Sequence, residues 1–226
     1  MNSFRHEYKY VIDAAQRQIL LIRASGLMQR DVHAVPDGAY LIRSLYFDDD
    51  RDTCFYENQS GTDPRSKFRI RYYNDNPAML RLEKKIKWHG MTRKESCTLT
   101  PEEAALLTEG GFPVTVGMSD DKKRLLLEWQ RRALRPKVIV TYRRIPFVYP
   151  AGNVRVTFDE GITSSDETRR FLTQDYRQRP VLPLGQSILE VKWDGLLPLH
   201  IKDMMQLDTL RWSAFSKYYT CRCIHL

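Results

Sequence analysis

The feature that most constrains this chain is a repeated alternation of polarity, in which one side of an extended segment is apolar and the other carries Arg, Lys and an occasional Glu. The stretch "SKFRIRYY", Ser66 to Tyr73, sets Lys67, Arg69 and Arg71 on one side and Phe68, Ile70 and Tyr72 on the other, the period of a β-strand. The period recurs from Phe4 to Ile12, where Arg5, Glu7 and Lys9 share a face. From Met79 to Lys87, Arg81, Glu83, Lys85 and Lys87 oppose Leu80, Leu82 and Ile86, with Lys84 alone on the apolar side. Arg155, Thr157 and Asp159 align within Val154 to Asp159, and Glu190 with Lys192 within Ile188 to Trp193. Further strands are expected from Tyr40 to Asp48, Arg93 to Leu99 and Lys137 to Phe147, the last aligning Tyr142 with Arg144.

Fewer helices than strands are expected. Asp13 precedes one, Thr100 with Pro101 and Glu103 forms a capping box, Ser119 precedes another, and Pro198 marks a first turn. Gly26 and the pair Gly110 and Gly111 are expected stops, and "SDETRR", Ser165 to Arg170, a capped turn or short helix. Without repeats or linkers, 226 residues at 42% hydrophobic composition predict one domain over residues 1–226. The fold class is α+β, an antiparallel β-barrel with helices packed on the outside.

Alternation alone does not say whether a charged face points out or in, since the outer face of a half-buried strand is ordinarily polar. Composition favours the interior, because a merely solvated face mixes Ser, Thr, Gln, Lys and Glu, whereas these faces repeat Arg and Lys. Like charges on neighbouring strands cost energy unless an anion sits among them. A barrel with apolar faces under helices and charged faces around a wet lumen would be a phosphate trap, and the net charge of +8 agrees with an anionic partner. Glu7, Glu83 and Glu190 on these faces offer oxygen ligands for Mg²⁺ or Mn²⁺, or ion pairs for the cations beside them. Cys54, Cys97, Cys221 and Cys223 read as reduced thiols, and His6, His33, His89, His200 and His225 form no spaced metal motif. With neither leader nor apolar span, the chain is expected to be soluble and cytoplasmic.

"Arg5-x-Glu7-x-Lys9" resembles a variant of the Glu-x-Glu-x-Lys signature of CYTH proteins and triphosphate tunnel metalloenzymes. "SLYFDD", "FRIRYY", "LEKK", "TYRRIPF", "VRVTFDE", "LEVKWDG" and "FSKY" are similar to the VTC-domain branch, the polyphosphate polymerases, in order along nearly the whole chain. The resemblance implies that Lys9, Arg69, Arg71, Lys85, Arg144 and Arg155 contact a triphosphate or polyphosphate, with Tyr142 assisting. It implies that Glu190 holds the divalent metal, Glu7 and Glu83 being secondary, and that Ser216 and Lys217 reach into the tunnel from a C-terminal helix. Arg43, Lys94 and Lys192 are further candidates for the lining.

Arg5 stands where tunnel triphosphatases have their first Glu, which disfavours water activation and fits a chain-extending enzyme that takes the γ-phosphoryl of ATP. Arg69, Arg71, Lys85 and Arg155 would stabilise the transferring group, with Mn²⁺ or Mg²⁺ on Glu190. The expected partners are ATP and inorganic polyphosphate, with no nucleic acid, and a membrane partner would act only in trans. The alternatives are an inorganic or nucleoside triphosphatase, a non-catalytic polyphosphate module, and a nucleic-acid binder using Tyr72, Tyr73, Tyr218 and Tyr219.

Overall fold

The computed structural model describes residues 4–32, 38–112, 117–207 and 210–226, so His33 lies outside the described residues. In chain order the elements are β1 (His6–Ile12), α1 (Ala14–Leu27), β2 (Gln29–Arg30), β3 (Tyr40–Asp48), α2 (Thr53–Gln59), β4 (Arg65–Tyr73), β5 (Asn76–Trp88), β6 (Met91–Leu99), α3 (Pro101–Thr108) and α4 (Asp120–Arg131). There follow β7 (Arg135–Tyr149), β8 (Val154–Ser165), β9 (Arg179–Pro180), β10 (Ser187–Trp193), α5 (Leu199–Met204) and α6 (Lys217–Cys223). Every segment expected to be extended is a strand. They join in one antiparallel sheet ordered β1-β10-β8-β7-β3-β4-β5-β6, with β2 on β7 and β9 on β8.

The sheet curls until its two edges meet. Arg5 N–H donates to the Thr92 carbonyl at 2.9 Å and Thr92 N–H to that of Arg5 at 2.8 Å, bridging the start of β1 to β6. The convex face carries two apolar clusters. Phe47, Phe68, Ile70, Leu80 and Leu82 pack under Leu107 of α3 and Leu125, Leu126 and Trp129 of α4. Phe147, Val156, Phe158, Leu189 and Val191 pack under Leu20 and Ala24 of α1 and Ile201 and Met204 of α5. The apolar residues that these helices cover thus lie on the outer phase of their strands, and the expected fold class holds.

Capping boxes form at Asp13 with Gln16 and at Thr100 with Glu103, as the sequence requires. Ser119 is an N-cap without a side-chain bond. Gly26 is no stop: α1 runs through it to Leu27 and ends in extended Met28. Lys84, the cation in the apolar phase, turns up beside α4, where its ammonium bonds Glu128 at 2.6 Å. Arg43 also lies on the outer phase, donating to Asp75 and to the Tyr176 hydroxyl, so its expected place in the lining is corrected. Strand β8 runs past the expected Asp159 because Gly161, at φ +57°, absorbs a register shift opposite Thr141 and Arg143.

Two helices, α2 and α6, pack on the concave side, where Tyr46, Val138, Val140, Tyr142 and Ile188 meet Cys54, Phe55, Tyr218 and Cys221. Asp48 ties these helices together. Asp52, the α2 N-cap, sits at φ +53° and makes no cap bond. The Asp48 carboxylate instead accepts the Cys54 N–H at 2.9 Å and the Phe55 N–H at 3.0 Å, and also the Tyr218 hydroxyl of α6. Among the described residues no helix is long and apolar enough to cross a membrane.

Asp48→Ala would strand two buried N–H groups and a phenol, at a cost of about 3–5 kcal/mol. Urea unfolding should show that loss, while Asp50→Ala, on an exposed neighbour, should leave the midpoint nearly unchanged.

Candidate active site

Closure of the sheet gathers the polar faces of its strands around a cavity of about 510 Å³. Strand β4 contributes Lys67, Arg69, Arg71 and Tyr73, and β1 contributes Arg5, Glu7 and Lys9. Lys85 comes from β5, Lys94 from β6, Tyr142 and Arg144 from β7, Arg155 from β8, Glu190 and Lys192 from β10, and Ser216 and Lys217 from α6. Twelve cationic side chains line it against three carboxylates. The excess persists even when the fully buried Glu83 and Asp159 behind the wall are counted.

These carboxylates organise the cations. Glu83 pairs with Arg69 at 2.6 Å and Lys94 at 2.8 Å. Asp159 takes both arms of Arg144, at 2.6 and 2.7 Å, and the ammonium of Lys217. Glu7 accepts Lys85 at 2.8 Å and lies 3.1 Å from Lys9. Glu190 lies 2.6 Å from Lys192, 3.5 Å from Arg144 and 3.7 Å from Lys9. Two cations have uncharged partners instead. Arg71 donates to the Ser44 hydroxyl at 3.0 Å and the Tyr142 hydroxyl at 3.1 Å, and Lys67 to Asn58 and to Ser216 at 2.8 Å.

Titration follows this geometry. Burial alone would raise Glu7, but Lys85 and Lys9 hold it well below the usual carboxylate range, and Lys192 and Arg144 do the same for Glu190. Burial pushes the Lys85 ammonium down to about 7, with Lys9 and Lys192 adding to the effect and Glu7 opposing it. Burial also drives Lys67 well below the ordinary lysine value of 10.5, helped by Lys9 and Lys85. Burial would raise Tyr46 and Tyr73, yet the guanidinium groups of Arg69 and Arg71 lower both.

Of the three carboxylates proposed for a metal, Glu83 is wholly buried with both oxygens engaged by Arg69 and Lys94, which makes it a counter-ion. Glu190 differs. Its Oε1 is buried and makes no hydrogen bond, the short contact with Lys192 being ionic, so a lone pair remains to be used. Among the described residues no three of His, Cys, Asp and Glu cluster as a metal site. A divalent ion here would therefore take Glu190, with Glu7 beside it joining only where Lys85 releases its oxygens, and complete its shell from a phosphate ligand, the usual Mg²⁺ arrangement.

The site residues expected from the sequence all line the cavity except Glu83 behind it, and Lys94 and Lys192 join them. Arg81 is exposed at the far part of its strand. Sequence reasoning placed Lys67 and Asp159 on the right faces without giving them roles, and it passed over Tyr40 and Tyr46. Their signal was the phase of β3, which puts Tyr40, Ser44 and Tyr46 on the face opposite Arg43.

A curled antiparallel sheet whose strands turn Arg and Lys into a shared bore is the architecture of a triphosphate tunnel. Two solved structures share the fold. A Bacillus halodurans protein described as a candidate adenylate cyclase superimposes with TM-score 0.51 at 18% identity, over 91% of this chain and 87% of its own. A Hippeastrum protein described as a candidate adenylyl cyclase with a dominant triphosphatase activity gives TM-score 0.51 at 17% identity, over 97% and 95%. No curated protein matches. The family model of the VTC domain matches residues 4–225, and the chain belongs to that family.

The depressed Lys67 fixes the sign of a stability measurement. Between its lowered folded value and 10.5 the unfolded chain binds the extra proton, so the destabilisation it causes fades as pH rises toward 10.5. Urea midpoints of Lys67→Met relative to wild type should be most favourable to the variant near neutrality, and the difference should shrink as pH approaches 10.5.

Proposed function

We propose that the protein is a polyphosphate polymerase that transfers the γ-phosphoryl of ATP to a growing inorganic polyphosphate chain. The observation that carries this reading is the surplus of cations over carboxylates in an enclosed bore, with Arg71 and Lys67 held by neutral partners and so free to meet phosphate oxygens. The triphosphate would lie along Lys9, Arg69, Arg71, Lys85, Arg144 and Arg155, fixed before reaction by carboxylates or, for Arg71, by the Ser44 and Tyr142 hydroxyls. Lys217, 4.7 Å from the centre of the Tyr142 ring, adds charge from α6, with Ser216 as a donor. Charge developing on the transferring group would be met by Arg69, Arg71, Lys85 and Arg155, aimed in advance into the bore. The acceptor's terminal oxygen is already largely ionised near neutral pH, so transfer to it calls for no general base.

A divalent cation, Mn²⁺ or Mg²⁺, bound by Glu190 with Glu7 beside it, would supply Lewis-acid neutralisation of phosphate charge. Arg5, at the position of a tunnel triphosphatase carboxylate, is tied to Asp194 at 2.7 Å and offers no metal ligand, which supports transfer over hydrolysis. ATP places the reaction in the cytoplasm, and export of the product would fall to a membrane partner acting in trans.

Purified protein given ATP with Mn²⁺ or Mg²⁺ should form acid-labile polymer visible on a stained gel. Orthophosphate as the sole product, from ATP or from inorganic triphosphate, would replace the polymerase reading with the triphosphatase one, and tight polyphosphate binding without product would leave a non-catalytic module. Arg71→Ala should lower kcat by about 100-fold, the scale of losing a preorganised charge donor. Glu190→Ala should abolish turnover, and full activity of that variant would refute its role.

A further inference from the structure

The strand that closes the sheet carries a different chemistry on its other side. Glu7 and Lys9 face the bore, so Phe4, His6 and Tyr8, which alternate with them, face outward. Further along the same phase Tyr10 and Ile12 join the apolar cluster beneath α1 and α5. Phe4 packs on Trp88 with ring centres 5.5 Å apart, His6 stacks on Trp193 at 5.1 Å, and Tyr8 meets Trp193 edge-on at 4.9 Å and Trp212 at 6.5 Å. Trp212 is held against the strand by a bridge to Tyr10 and by the next residue, whose N–H donates to the Lys9 carbonyl at 2.8 Å. The rings form a strip across the seam of the barrel, and from Phe4 to Tyr8 alone it runs about 13 Å at the rise of an extended strand.

No helix roofs this strip as α3 with α4 and α1 with α5 roof the two outer clusters. Trp88, Tyr8 and Trp212 are left 45%, 46% and 61% exposed. Among the described residues only one other Phe, Tyr or Trp is exposed to this extent, Tyr56 of α2 at 59%. Apolar side chains scattered singly over a surface need no explanation, but three of four exposed rings on one strip mark a contact with something else.

Charge and shape choose among the occupants. Exposed Arg211 precedes Trp212, and Arg93 lies 5.1 Å from the centre of the Phe4 ring. The carboxylates at the strip are already engaged, Asp194 by Arg5 at 2.7 Å and Glu95 by Arg93 at 2.9 Å. A second copy of the chain would bring its own net charge of +8 to the contact, which disfavours self-association and favours an anionic partner. The rings stand on the convex side of the sheet, outside the bore, so a protein partner would have to supply a separate pocket for each of them. A layer of lipid headgroups needs no such match, and Trp and Tyr, with an apolar body and a polar tip, settle at that depth. We infer that the strip along Phe4, Tyr8, Trp88 and Trp212 docks the protein on an anionic lipid membrane. Attachment is peripheral: rings insert at the headgroup level while Arg211 meets the negative surface.

Vesicle sedimentation tests this without nucleotide. Wild-type protein should sediment with vesicles of phosphatidylcholine containing about 30% phosphatidylglycerol and more weakly with phosphatidylcholine alone. Tyr8→Ser/Trp212→Ser should lower affinity for the anionic vesicles about tenfold, the scale of losing two partly inserted rings. Arg211→Ala should lower it about fivefold and leave binding to phosphatidylcholine unchanged. The control Tyr56→Ser, which removes the exposed ring on α2, should change neither. Vesicles with brominated acyl chains should quench the tryptophan emission of the wild type, a reading that requires no variant. Failure of the wild type to sediment, equal binding to both vesicles, absence of quenching, or an unchanged affinity in Tyr8→Ser/Trp212→Ser would overturn the assignment. So would a dimer in solution that Tyr8→Ser/Trp212→Ser dissociates, since the strip would then be a contact between copies.

Discussion

The curvature of one sheet forces the cationic faces of its strands to look at one another, and that unfavourable arrangement governs the rest of the molecule. Four buried carboxylates make it tolerable. Glu83 serves Arg69 and Lys94, Asp159 serves Arg144 and Lys217, and Glu7 and Glu190 share Lys9, Lys85 and Lys192. Such pairs seldom add net stability over apolar residues of similar size, but removing one partner is severe because a charge is left alone in a low-dielectric setting. The bore is therefore pinned in one geometry by groups that cannot be exchanged singly. The neutralisation is incomplete, and the remaining field is directed at whatever anion enters.

Apolar packing supplies the curvature. The two outer clusters clamp opposite halves of the sheet beneath α3 with α4 and beneath α1 with α5, so the strands cannot flatten without exposing Phe68, Leu82, Phe147 and Phe158 together. The inner helices act differently. Through Asp48 they lock to β3, and through Tyr218 that lock reaches the residue next to Lys217. A helix formed by the last part of the sequence thereby presents its ammonium to Asp159 on β8 and to the face of Tyr142 on β7. Tyr142 also accepts from Arg71, which makes its phenol a junction between the sheet wall and α6.

The strands were legible because a sheet with one dry face and one charged face writes a period of two into the sequence, and β4 shows it without interruption from Lys67 to Tyr72. The pattern failed where another force set the residue. Lys84 breaks it because Glu128 of α4 supplies a partner on the outer face, and Arg43 looked like lining because nothing in sequence reveals Asp75 and Tyr176 beside it. The second half of β8 was hidden by the shift at Gly161. Helix α2 carries Asp52 at its N-cap without a cap bond, since its capping carboxylate, Asp48, belongs to the preceding strand. Counter-ions were the least legible part of the site: the choice between Glu83 as ligand and Glu83 as buried partner depends on which oxygens remain free, and only the folded arrangement of Arg69 and Lys94 decides it.

The first strand shows how closing the barrel and shaping its chemistry became one problem. Arg5 bridges β6 through its backbone and holds Asp194, the residue after β10, through its guanidinium, so the residue at the seam is tied on both sides of β1. Two and four positions on, Glu7 and Lys9 project inward from the same face. A carboxylate at position 5 would meet Asp194 as a like charge at the seam, and the closure would weaken just where a metal ligand would be gained. Position 5 thus trades coordination for closure, leaving Glu7 and Glu190 as the carboxylates of the wall and cations as its majority. A bore built that way presents a surplus of positive charge to any anion that enters it.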